Sequence, residues 1–66
     1  MSRIISNPEI LGGKPVVAGT RISAEHILGL LSHEMSEAEI IESYPALTRD
    51  DIQEVLRYAA QALGGR

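Results

Sequence analysis

Two hydrophobic rhythms divide the chain near residue 22. Downstream of it, apolar residues recur at helical spacing, as in Ile27, Leu28, Leu30 and Leu31 and again in Ile52, Val55, Leu56, Ala59 and Leu63. Upstream, short β-branched pairs (Ile4-Ile5 and Val16-Val17) are separated by turn residues: Asn7-Pro8, Gly12-Gly13, Pro15 and Ala18-Gly19. The front therefore reads as strand and turn, and the back as helix. Ala18-Gly19 is expected to turn Val16-Val17 into Thr20-Arg21-Ile22 as a small hairpin.

Capping signals place the helices. Ser36 with Glu39 three residues on fits a capping box, and Met35 and Ile40 flank it as a hydrophobic staple. Thr48 with Asp51 repeats the pattern, with Leu47 and Ile52 as its staple. Ser23 can cap an earlier helix. Pro45 disfavours helix at Tyr44, and Gly64-Gly65 supplies a stop. These signals predict helices at 24–33, 37–44 and 49–63. In the last of these, Ile52, Val55, Leu56, Ala59 and Leu63 share the core side, with Asp50, Glu54, Arg57 and Gln61 opposite. The expected fold is mostly α: a three-helix, homeodomain-like helix-turn-helix bundle preceded by a short N-terminal β-hairpin element. One domain spans 1–66, with a β/turn element at 1–22, a three-helix unit at 23–63 and a tail at 64–66.

Length changes the picture next. A chain of 66 residues holds one small core. Domains of this size bury only about 60% of their unfolded surface. There is no cysteine, so neither a disulfide nor a thiolate-held metal can supply the missing stability. An oligomer is expected for that reason. The proposed dimer surface is the hairpin, Ile4 and Ile5 with Val16 and Val17, because strand edges need pairing.

Charge and composition exclude several functions. With 6 Lys+Arg against 9 Asp+Glu, the net charge is −3, which rules out a polycation held on nucleic acid by charge alone. No Trp or Phe and two Tyr leave almost nothing for base stacking. No apolar run approaches the roughly 20 residues of a membrane span, and the N-terminus lacks a signal-peptide core. A cytoplasmic location is expected.

The candidate chemistry is sparse. Gly12-Gly13-Lys14 is followed by Pro15 and has Pro8 where a phosphate loop needs glycine, so it reads as a turn with a solvated lysine. His26 and His33 lie seven apart on one helix face without a third ligand beside them, so no metal site is assigned. No nucleophile elbow or catalytic constellation is present, and neither an enzyme nor a cofactor is expected. Arg49, Gln53 and Arg57 fall at i, i+4 and i+8 on the third helix, with side chains suited to reading guanine and adenine edges. Asp50, Asp51 and Glu54 crowd the same helix and oppose phosphate. Arg21 reads first as a carboxylate clamp within the fold, with a phosphate or partner contact as the alternative.

The run Asn7-Pro8-Glu9-Ile10-Leu11-Gly12-Gly13-Lys14-Pro15-Val16-Val17-Ala18-Gly19-Thr20-Arg21-Ile22, followed by Tyr44-Pro45-Ala46-Leu47-Thr48 ahead of the last helix, resembles the hallmark of a small bacterial family. That family is catalogued as domain of unknown function 433. The resemblance covers about residues 3 to 60, with Gly12, Gly13, Lys14, Pro15, Gly19, Thr20, Arg21, Tyr44 and Pro45 as motif positions. It implies a homeodomain-like helical fold with an N-terminal β element. It also implies the antitoxin half of a type II toxin–antitoxin pair, encoded beside a PIN-like ribonuclease, whose members often dimerise and repress their own promoter. On that reading Asp50, Asp51 and Glu54 would contact the nuclease. The alternative is a small DNA-binding regulator reading an operator through Arg49, Gln53 and Arg57. Where many relatives carry a glycine before the second helix, this chain has Glu34-Met35, which is expected to lengthen the first helix.

Overall fold

The computed structural model describes residues 3–64. Strands β1 (Ile4–Ile5) and β2 (Val16–Val17) precede helices α1 (Ala24–Ser32), α2 (Glu37–Ser43) and α3 (Arg49–Ala62). The fold is mostly helical, with a two-stranded antiparallel hairpin at its start. Ile4 faces Val17 and Ile5 faces Val16 across that hairpin.

Each helix begins where its cap predicts. The Ser23 side chain accepts from the His26 N–H, Ser36 from the Glu39 N–H and Thr48 from the Asp51 N–H. At Ser36 and Thr48 the box is reciprocal: the Glu39 and Asp51 carboxylates accept from the cap residues' own N–H groups. Every orphan donor satisfied in this way removes a desolvation penalty at a helix end.

The α1 terminus departs from expectation. The helix is not lengthened by Glu34-Met35 but stops at Ser32 with His33 as its C-cap. Glu34 then takes the left-handed conformation, φ 68°. Its N–H donates to the Leu31 carbonyl and the Met35 N–H to the Leu30 carbonyl, the double bond of a Schellman stop. Tertiary packing decides this. Met35 and Leu30 both lie against the core, so the chain must reverse here whether or not a glycine is present.

Val17, Ala24, Ile27, Ile40, Leu47, Ile52 and Val55 form the buried core, with Ile4, Leu30, Leu31 and Tyr44 among the half-buried residues around it. The α3 stripe fills this core only in part. Ile52 and Val55 are fully buried, but Leu56 is 39% exposed and Leu63 is 87% exposed. α3 has 14 residues, about 21 Å of helix, whereas α1 has 9 and α2 has 7. Its C-terminal end therefore runs past the partners that would cover it.

The front differs from the expected hairpin in one respect. The Ala18-Gly19 turn forms, with the Thr20 N–H donating to the Val17 carbonyl at 3.0 Å and Gly19 at φ 80°, a conformation that glycine adopts without steric cost. Thr20-Arg21-Ile22 does not form a strand, and the named partner of β2 is β1, which lies earlier in sequence. The far edge of β2 is nonetheless occupied, because the Val17 N–H donates to the Ile22 carbonyl and Val16 bridges to Ser23.

Candidate functional site

The outer faces of α2 and α3 carry most of the candidate residues. The short Tyr44–Thr48 link brings Glu37, in the first turn of α2, against the first half of α3. Glu37 serves two of its residues at once. Its Oε1 lies 3.3 Å from Arg49 Nε, and its Oε2 accepts from Gln53 Nε2 at 2.7 Å. One turn further, Arg57 Nη2 donates to Glu54 Oε2 at 2.7 Å. All three side chains suited to base reading are therefore engaged by carboxylates of the same chain.

Of the three acids grouped on α3, the structure separates one from the others. Asp50 is exposed and has no ion pair among the described residues, and Glu54 is half-buried against Arg57. Asp51 is 1% exposed and cannot form part of a partner-facing acidic surface. It occupies the N3 position, where the helix turns it inward. Its Oδ2 accepts from the Thr48 N–H at 3.0 Å and its Oδ1 from Arg3 Nε at 2.7 Å. Burial pushes the Asp51 carboxyl up. The Arg3 and Thr48 donors and the Arg3 charge outweigh that and hold it below the ordinary carboxylate value.

The hairpin residues also part company. Val16 and Val17 are fully buried, and both edges of β2 are paired within the chain. They are therefore not a dimer surface, because the core takes their side chains and the Ile22–Ser23 segment takes the outer edge. Ile4 is half-buried against the core, and Ile5 is 41% exposed.

The motif residues have structural work that the sequence alone did not assign. Thr20 clamps its turn, its hydroxyl donating to the Val17 carbonyl at 2.8 Å and accepting from the Ile22 N–H at 3.0 Å. Lys14 pairs with Glu25 at 3.1 Å, tying the loop to α1. Gly12 and Gly13 form a tight turn with Leu11 in which all three φ angles are positive (51°, 66° and 88° from Leu11 to Gly13). Pro45 sits in the turn closed by the Leu47 N–H and the Tyr44 carbonyl. Tyr44 reaches across to α1, its hydroxyl 2.8 Å from His26 Nε2 and the rings meeting edge to face. Sequence spacing gave no signal for that last contact, since His26 lies on α1 and Tyr44 lies 18 residues on, just past the end of α2. Arg21 is exposed and makes no hydrogen bond or ion pair among the described residues, so the intramolecular clamp expected for it is not seen.

His33 Nδ1 bonds the Gly29 carbonyl at 2.8 Å, while His26 is engaged with Tyr44. Among the described residues no group of three or more His, Asp or Glu side chains is placed to hold a metal. No helix among them is long and apolar enough to cross a membrane.

These features define a small three-helix module with an N-terminal hairpin and an acidic α2–α3 face. Residues 4–59 match the family described as protein of unknown function (DUF433), and the chain belongs to that family. It is 36% identical over 64 residues to an uncharacterized protein of Sinorhizobium fredii. That match covers 96% of this chain but 29% of the relative, so the chain spans less than a third of the relative's length. A crystal structure of a DUF433 member from Anabaena variabilis superposes with a TM-score of 0.87 at 24% identity. It covers 92% of this chain and 60% of the other, and it supports the fold.

Proposed function

We propose that this chain is the antitoxin of a type II toxin–antitoxin pair, acting as a homodimer and neutralising a PIN-like ribonuclease by protein contact. The observation that carries the reading is the unbalanced charge of the α2 and α3 outer faces. Glu37, Glu39, Glu42, Asp50 and Glu54 stand there against Arg49 and Arg57. The individual pairs are cheap to break, since an exposed ion pair is worth about 0.2–1 kcal/mol. What opposes phosphate is the excess of carboxylates, which no side-chain rearrangement removes. The same excess complements the cationic or metal-holding cleft of a nuclease. Asp50 and Glu54 would stand there for phosphates, while Asp51 stays within the fold.

Co-expression with the product of the neighbouring gene, assayed for ribonuclease activity, tests this reading. A complex that co-purifies and restores growth supports it. The double variant Asp50→Lys with Glu54→Lys is expected to weaken that complex at least tenfold, and unchanged affinity overturns the role of these acids.

The helix-turn-helix layout of α2 and α3 favours a second reading, a DNA-binding regulator that uses Arg49, Gln53 and Arg57. Operator binding of that kind falls steeply with salt. Promoter DNA retained by the isolated chain, with such a slope, would favour it.

A further inference from the structure

Three cations stand on the front of the chain, and two of them are committed within the fold. Arg3 is paired with Asp51 and Lys14 with Glu25. Arg21 is exposed and has no such partner among the described residues. The turn that carries it is nonetheless fixed. The Thr20 hydroxyl binds the Val17 carbonyl on one side and the Ile22 N–H on the other, and Gly19 holds φ at 80°. In that turn the Gly19 and Arg21 N–H groups have no acceptor among the described residues. A second guanidinium borders it, because Arg3 Nη2 lies 3.4 Å from the Ala18 carbonyl. A held turn with free N–H groups and an unpaired guanidinium suits an oxyanion. We infer that the Gly19-Thr20-Arg21 turn takes a phosphate of the double-stranded DNA backbone, with Arg21 as the contact.

Local charge, rather than net charge, governs such a contact. Residues 1–22 carry three cations, Arg3, Lys14 and Arg21, and one acid, Glu9. The rest of the chain carries three cations and eight acids. Glu9 lies in the loop from β1 to β2, at the end of the hairpin away from the Ala18-Gly19 turn. Salt of about 0.1 M screens exposed charges more than about 10 Å apart. The molecule measures 29 × 28 × 22 Å, so the surplus acids do not set the potential over its whole surface.

The distribution of cations favours a polyanion. A single carboxylate would engage Arg21 and leave the other two cations as they are. A duplex carries one negative charge per ~1.7 Å of its axis, so half-exposed Arg3 and exposed Lys14 can meet further phosphates beside the first. The Lys14 pair with Glu25 is exposed on both sides and is therefore weak. Single strands are a poorer fit. Both tyrosines, Tyr44 and Tyr58, lie in the helical part of the chain, and residues 1–22 contain no aromatic side chain on which a base could stack. Contacts of this kind position a protein on DNA without reading its sequence. The inference goes beyond both readings above, because it places DNA on the front of the molecule and not on α3.

Fluorescence anisotropy of a labelled DNA duplex with the full chain, repeated between about 50 and 200 mM salt, tests it. Binding is expected at the low end, with log K falling by about 0.9 per engaged cation for each decade of salt. Arg21→Gln is expected to weaken binding roughly tenfold near 0.1 M salt and to reduce the slope by about 1. Its circular dichroism should match the wild type, because the Arg21 side chain holds nothing in the fold. Arg21→Lys keeps the charge and is expected to keep the slope. Arg49→Gln with Arg57→Gln is expected to leave the slope unchanged. Absence of binding at 50 mM salt overturns the inference. So does an unaltered slope in Arg21→Gln. A slope lost in the Arg49 and Arg57 variant instead returns the contact to α3, so that the regulator reading stands while this one falls. Polyglutamate that displaces the duplex at equal charge concentration would make the turn a carboxylate site and overturn the assignment to phosphate. No nuclease takes part in these measurements, so antitoxin activity can fail while the DNA contact stands, and the converse.

Discussion

Arg3 and Asp51 are 48 residues apart in sequence and 2.7 Å apart in space. This contact ties the start of β1 to the first turn of α3. The same carboxylate caps the helix through the Thr48 N–H, and the other end of Arg3 reaches the Ala18 carbonyl at 3.4 Å. One buried acid thus joins the hairpin, the Ala18-Gly19 turn and the longest helix.

Replacing Asp51 should cost more than replacing Arg3. Asp51→Ala removes the cap of the Thr48 N–H and the charge-assisted bond together, and a loss of about 2–3 kcal/mol is expected in urea unfolding. Arg3→Gln removes a half-exposed partner and is expected to cost about 0.5–1 kcal/mol. Equal losses would show that the ion pair, rather than the cap, carries the stability.

The pH dependence follows from the lowered Asp51 pKa. The ionised form is favoured in the folded state, so its stabilisation is complete above the unfolded carboxylate value near ~3.9. It is lost as pH falls through the lower folded value. Acid unfolding of the wild type should therefore be steeper in that window than that of Asp51→Asn. Identical acid limbs would remove Asp51 from the account.

Glu34 holds a left-handed conformation at φ 68° that costs a side-chain-bearing residue roughly 1–2 kcal/mol. Glu34→Gly relieves this cost but makes the unfolded chain freer. A net gain of about 0.5–1 kcal/mol is expected, seen as a rise in Tm of a few degrees (about 4–8 °C per kcal/mol at this size). A fall in Tm would mean that the Glu34 side chain makes a contact worth more than the strain.

Ile27 is fully buried on α1. Ile27→Ala should cost about 2–5 kcal/mol, a large fraction of the stability of so small a domain. Far-UV circular dichroism at 37 °C should then show a substantial unfolded population. A fully folded variant would point to a larger stability reserve than one core of this size provides.

Much of this fold was legible from residue order, because capping is local. Ser36 with Glu39 and Thr48 with Asp51 each place a helix start within four residues of sequence, and both starts are found there. The Gly19 turn and the Pro45 break were readable for the same reason. The candidate site was less so. Arg49, Gln53 and Arg57 share one helix as the spacing predicts, but Glu37, the partner of Arg49 and Gln53, lies on another, and only the angle between α2 and α3 brings it there.

The sequence by itself determined the number of helices, their starts, the strand–turn character of the front and the family, all of which depend on neighbours a few residues apart. Tertiary structure alone decided how much of each predicted apolar face is covered, burying Ile52 and Val55 but not Leu56. It buried Asp51 between Arg3 and Thr48, and it closed both edges of β2 against β1 and the Ile22–Ser23 segment. It stopped α1 at Ser32 so that Met35 could reach the core. It also left Leu63 uncovered, because α3 is longer than the helices beside it. Those outcomes depend on which elements meet and at what length, and no local pattern encodes that.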